Sequence, residues 1–104
     1  MRKEDEGMYN AEMKDKYMES KGLLTKRDMA SFFNKLAEYE EHYKKDVSDM
    51  ALNEISYSLI QIQPKNESQS KVYCSYINGY RKWIKNTDED IFLNVHTEFF
   101  KQFL

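Results

Sequence analysis

The chain has 104 residues, 40% of them apolar and 33% charged, with a formal net charge of −2. This length fits one domain with a small but real hydrophobic core, and 14% aromatics with only three Gly and one Pro exclude a disordered chain and favour helix. No apolar run approaches the ~18 residues that would span a membrane, and the mild acidity argues against an indiscriminate nucleic-acid binder.

Residues 1–7 are mostly charged and end in Gly7, which predicts a disordered lead-in with no secretory signal. From Met8 to Ser20, Tyr9, Met13 and Tyr17 recur at intervals of four, one stripe of an amphipathic helix. Lys21-Gly22 is expected to end it, with Gly22 in the left-handed C-terminal position.

A second helix is predicted from about Lys26 to Lys44. Thr25-Lys26-Arg27-Asp28 has the form of a capping box, in which the Thr25 hydroxyl accepts from an early backbone N–H and Asp28 reaches back. Met29, Phe32, Phe33, Leu36, Tyr39 and Tyr43 supply its apolar stripe, and Lys35, Glu38, Glu41 and Lys45 the solvated face. A break is expected at Asp46 to Met50. Leu52, Ile55, Leu59 and Ile62 then form a third stripe that ends before Pro64. Their spacing of three and four favours helix over strand.

Asn66-Glu67-Ser68-Gln69 reads as another N-cap, with Gln69 three residues on. The fourth helix carries Val72, Tyr76, Tyr80 and Trp83 as its apolar stripe. Gly79 lies mid-helix, where it costs ~1 kcal/mol against Ala, and close approach to another helix would explain it. Asn86-Thr87-Asp88 breaks the pattern, and Phe92, Val95, Phe99 and Phe103 predict a short last helix. The expected class is therefore all-α, a bundle of four helices with a short fifth at the C-terminal end. The division is 1–7 lead-in, 8–94 helical domain, 95–104 tail or start of a linker.

Catalytic patterns are absent. His42 and His96 fall in no HExxH motif, no CxxC is present, and no Gly-rich phosphate loop occurs. The lone Cys74 reads as a packing residue in a reducing, cytoplasmic setting. Glu40-Glu41 and Asp88-Glu89-Asp90 place carboxylates side by side, but on faces expected to be solvated. The expectation is a protein with no enzymatic activity, cofactor or metal. Charge is uneven: from Lys65 to Lys85 five bases (Lys65, Lys71, Arg81, Lys82, Lys85) oppose one acid (Glu67), a local +4 that leaves −6 elsewhere. Such a segment is either a solvated face or one that steers toward phosphate.

The order of these pieces resembles a family. "MYNAEMKDKYMESK", "TKRDMASFFNKLAEYEEHYKKDVSDMALNEI" and "KNESQSKVYCSYINGYRKWIKN" are similar to the N-terminal core-binding (SAM-like) domain of phage integrases, the tyrosine recombinases. The final "YRKWIKN", with Tyr80 and Trp83 before a basic end, is the most specific element. The "MYN…K" start also resembles integrase-like repressors of lysogenic phages. The likeness spans roughly Met8 to Asn94.

The resemblance implies a four-helix domain that clamps one side of duplex DNA while a C-terminal catalytic-type domain of the same protein holds the other. It implies roles in DNA integration and recombination for the parent protein. The chain itself lacks the Arg, Lys, His and Tyr set of that second domain, so it reads as an isolated domain or a relic that cannot cut DNA. Family members present the starts of the second and fourth helices to the major groove, here Thr25, Lys26 and Arg27, and Lys65, Asn66, Ser68, Gln69 and Lys71.

Helix N-termini, Lys and Arg suit phosphates, and Asn and Gln suit adenine edges. Thr25 and Asn66 are also good caps whatever else they do. Arg81 and Lys82, with Lys85, either touch the DNA backbone or simply solvate a helix end. The acidic body predicts weak affinity in isolation. The competing expectation is a protein–protein module of a phage repressor, with self-association through Phe92, Phe99, Phe100 and Phe103.

Overall fold

A computed structural model describes residues 9–89. The predicted lead-in, the fifth helix and the tail at 95–104 lie outside these residues. Within them the elements are α1 (Ala11–Glu19), α2 (Leu23–Tyr43), a 3-10 turn (Val47–Asp49), α3 (Leu52–Ile62) and α4 (Glu67–Lys85). The protein is an all-α helical bundle. No described helix is long and apolar enough to cross a membrane.

The core follows the helical stripes, except that Leu52 at the start of α3 is exposed and the buried face of α4 is displaced. Met29, Phe32, Phe33 and Leu36 of α2 are buried as their spacing predicts, as are Ile55 and Leu59 of α3. In α4, however, the buried apolar face is Tyr73, Cys74, Ile77 and Tyr80, whereas Val72 and Trp83 are exposed and Tyr76 is only partly covered. The predicted stripe is thus rotated by part of a turn. Aromatic residues at intervals of three and four define a face about 100° wide, and Tyr80 alone belongs to both candidate faces. The thiol of Cys74 is fully buried and unbridged, a packing residue as expected.

Aromatic rings join the helices. Phe32 stacks on Tyr73 with centroids 4.4 Å apart, and Phe33 meets Tyr80 edge-on at 5.5 Å. Tyr17 of α1 lies against both Tyr80 (5.9 Å) and Trp83 (5.6 Å) of α4. Each such pair adds roughly 0.5–1.5 kcal/mol beyond the burial of its area. Gly79 lets Tyr17 in: a Cβ there would collide with the Tyr17 hydroxyl. Close helix approach accounts for this mid-helix glycine.

The junction of α1 and α2 departs from expectation, since α1 already closes at Ser20. α2 begins at Leu23, one turn earlier than predicted, with Gly22 as N-cap at φ −63° and ψ 158°. Gly22 is therefore extended, not left-handed. Thr25 lies inside the first turn and makes no capping bond, and Asp28 accepts a hydrogen bond from the Tyr76 hydroxyl of α4 at 2.5 Å instead of reaching back. A capping motif is short enough to recur by chance, and Gly is itself an acceptable N-cap. The left-handed positions fall on Asn10, Lys44, Gln63 and Asn86. Lys44, Gln63 and Asn86 close α2, α3 and α4, with Gln63 kept from αR by Pro64.

Candidate nucleic-acid interface and the buried charge node

The first turn of α2 is the most open part of the domain. Leu23, Leu24, Thr25 and Lys26 are exposed and no acid occupies that turn, and Arg27 and Asp28, which open the second turn, are exposed as well. Cations at a helix N-terminus oppose the macrodipole, at roughly 0.3–1 kcal/mol each. The Asp28–Tyr76 bond holds the second turn of α2 against the middle of α4. Tyr76 lies about 15 Å along the helix from Asn66 at 1.5 Å per residue. Burial and the neighbouring Asp28 carboxylate raise the Tyr76 phenol well above its usual range, so it remains a donor.

The start of α4 is capped as predicted. Asn66 Oδ1 accepts from the Gln69 N–H at 2.8 Å, and Gln69 Oε1 accepts from the Lys65 N–H at 2.7 Å. Lys65, Asn66 and Ser68 are exposed and Gln69 is half-buried. Lys71 is exposed and lies 3.5 Å from Glu67 Oε1, so its charge is partly answered within the helix. Residues 65–71 therefore form one compact polar cluster around the cap.

Arg81 and Lys82 are not part of that cluster. Lys82 shares the exposed face of Lys71 but stands about three turns, some 16 Å, farther along α4. Arg81 is half-buried on the flank of the core, and its Nη1 is buried without a hydrogen bond. Lys85 is paired with Asp49 Oδ1 at 2.8 Å. The basic segment read as one stretch is thus divided into a helix start and a helix end.

The residues expected from the sequence to form a site do not include the buried ion pairs of the domain. Lys14 of α1 is fully buried, and its Nζ donates to Glu40 Oε2 at 2.7 Å, to Asp46 Oδ1 at 2.8 Å and to the Tyr9 carbonyl. Glu40 also accepts from the Val47 N–H at 2.8 Å. Asp46 accepts from the Ser48 N–H at 3.1 Å, from the Ser48 hydroxyl, and from the Tyr80 hydroxyl at 3.1 Å. The expectation that Glu40 and Glu41 are both solvated is therefore corrected. Glu41 is exposed and pairs with Lys44, while Glu40 has no solvent exposure.

Burial raises the Glu40 carboxyl to about 7, against the lowering influence of Lys14. Burial acts on Asp46 in the same direction, but Lys14 and the Ser48 donors outweigh it and hold that carboxyl below its usual value. This node joins α1, α2, the 3-10 turn and α4. A Lys at position 14 next to the Tyr9–Met13–Tyr17 stripe was the only available signal, and charged residues beside a stripe are usually solvated. Among the described residues no group of three or more His, Cys, Asp or Glu side chains is arranged to hold a metal ion.

The model of the MrpR N-terminal core-binding domain matches residues 8–86. The chain belongs to this family. The match takes in all four described helices, both helix starts and the whole charge node. No curated protein and no solved structure matches the chain.

Proposed function

We propose that this MrpR-type core-binding domain binds duplex DNA, with the first turn of α2 and the cap region of α4 as its contact surface, and does so without catalysing cleavage. The observation that carries the reading is the start of α2: Lys26 and Arg27 stand exposed beside a first turn that holds no acid, and the nearest acid, Asp28, is engaged by the Tyr76 hydroxyl. The arrangement works against the helix's own dipole and suits an incoming phosphate, which takes the N–H groups, the dipole and both cations together. Exposed Thr25 adds a neutral donor to that turn, and exposed Lys65, Asn66 and Ser68 offer neutral donors and one further cation at the start of α4.

Asn66 and Gln69 have their side-chain oxygens engaged in the cap, which leaves their amide NH₂ groups to face a base edge or phosphate. Lys71, Arg81 and Lys82 contribute to the phosphate field from farther along α4. The parent protein is in this reading an integrase-like phage repressor or recombinase. Its C-terminal catalytic-type domain encloses the other face of the duplex, in the cytoplasm. The acidic remainder of the domain keeps its own grip weak, so most affinity resides in the two-domain protein.

A second reading, a protein–protein module, is favoured by exposed Leu23, Leu24 and Trp83 at 66%, 79% and 43% and by the apolar residues Phe92, Phe99, Phe100 and Phe103 in the sequence. Backbone amide NMR on titration with a short duplex at two salt concentrations separates the two. Shifts concentrated at 25–27 and 65–71 that shrink with salt support DNA binding. No shifts at low salt, with a concentration-dependent dimer, would overturn it in favour of the interaction module.

A further inference from the structure

One lysine cannot neutralise two buried carboxylates. With Glu40 and Asp46 both ionised, the node would hold a net charge of −1 in an interior where Lys14, Glu40 and Asp46 are 0%, 0% and 3% exposed. An uncompensated buried charge is strongly unfavourable, and the usual escape is protonation. The geometry selects which acid takes the proton. Asp46 faces four donors: the Lys14 ammonium, the Ser48 N–H, the Ser48 hydroxyl and the Tyr80 hydroxyl. Glu40 has two, the Lys14 ammonium and the Val47 N–H, both on Oε2, while its buried Oε1 has no partner.

We propose that the Lys14–Glu40–Asp46 node is a proton-operated clasp for α1, in which Glu40 carries a proton while α1 is docked and releases it to solvent as the clasp loosens in more alkaline medium. The groups that face Glu40 are Lys14 from α1, Asp46 from the turn and the Tyr80 phenol from α4. The acid of α3, Glu54, is occupied by Lys45 and the Ala51 N–H. The rise of the Glu40 carboxyl toward neutrality accords with this arrangement.

α1 is the element such a clasp would release. It has nine residues and no side-chain N-cap bond, and its buried residues are Lys14, Tyr17 and Met18. A helix this short does not persist in water without tertiary contacts. Lys14 is one of those three anchors, and it also lies over the rings of Phe33 (5.7 Å) and Tyr80 (5.6 Å). Loosening it uncovers the surface of α4 around Gly79, Tyr80 and Trp83 that Tyr17 covers.

Two measurements on the 104-residue chain test this. In a carbon-detected titration of the glutamate side chains, Glu40 is expected to titrate more than one pH unit above the exposed glutamates. In amide hydrogen exchange, corrected for intrinsic rates, protection of α1 relative to α3 is expected to fall on the order of tenfold or more between pH 5.5 and 8. The ratio should stay level in Glu40→Gln, which is permanently neutral. Titration of Glu40 together with the exposed glutamates would overturn the proposal. So would an equal loss of protection in α1 and α3, or the same α1 response in Glu40→Gln. Should that variant not fold, the wild-type titration and the α1-to-α3 ratio decide alone.

Discussion

Lys14 Nζ lies 2.7 Å from Glu40 Oε2, and neither side chain is exposed to solvent. This contact spans 26 positions of sequence and fastens the shortest of the described α-helices to the longest. Its partner Asp46, at 2.8 Å, is bound in turn by Tyr80 of α4. Four elements therefore meet around one ammonium group.

Lys14→Met is expected to destabilise the domain strongly, by about 3–5 kcal/mol, because it removes the base and leaves two buried acids facing each other. Adding Glu40→Gln and Asp46→Asn should recover a large part of that loss, since the uncompensated charge is then gone. Urea denaturation followed by circular dichroism reads both values. A single variant within 1 kcal/mol of wild type, on the order of a surface pair, would show that the node contributes little.

Stability should peak on the acid side of neutral. Glu40 has a folded value raised from 4.5 to about 7, so the folded state binds the extra proton between these values. Its contribution is complete below about pH 4.5 and declines as pH rises toward 7. Asp46 is lowered from its ordinary 3.8. Its contribution is present above that value and is lost as pH falls through the folded one. Denaturation midpoints from pH 3 to 8 should therefore rise and then fall. Glu40→Gln should abolish the decline between pH 5 and 7 and keep the acid limb.

The two caps should respond differently to alanine. Asn66→Ala removes the bond to the Gln69 N–H and is expected to cost about 1 kcal/mol. Thr25→Ala lies within the first turn of α2, where no capping bond is made. It should change stability by less than about 0.5 kcal/mol. Thermal unfolding of the two variants gives the comparison. Equal losses would place a cap at Thr25 after all.

Gly79→Ala should destabilise the domain by about 1–3 kcal/mol, despite the ~1 kcal/mol that alanine gains as a helix former. The new methyl meets the hydroxyl of Tyr17, whose ring is held between Tyr80 and Trp83. Tyr17→Phe removes the obstructing oxygen, so the double variant should recover most of the loss. Additive effects of the two substitutions would sink this account.

Lys26→Ala and Arg27→Ala should each weaken duplex binding about equally across DNA sequences. Each should also reduce the slope of log K against log salt by about 1. Both side chains are exposed, so melting temperature should hardly move. Fluorescence anisotropy over a salt series provides the slope. An unchanged slope would separate these residues from the phosphate contacts.

Much of the bundle is legible from residue order, for local reasons. The stripes of α2 and α3 repeat with the helical period, Pro64 stops α3, and Asn66 caps α4 through a bond that closes within three residues. Gly79 announces a close approach because a glycine mid-helix has a local cost. Each of these depends on neighbours in sequence, which a single chain displays.

The tertiary structure decided what depends on distant partners. Which face of α4 is buried follows from where Phe32, Phe33 and Tyr17 lie, so Trp83 is left outside and Tyr73 drawn in. Gly22, not Thr25, starts α2, since the chain arriving from α1 sets where the helix begins. Above all, Lys14, Glu40 and Asp46 are individually ordinary surface residues by type. A charge enters a core only when its counter-charges arrive with it, and here these come from 26 and 32 positions away.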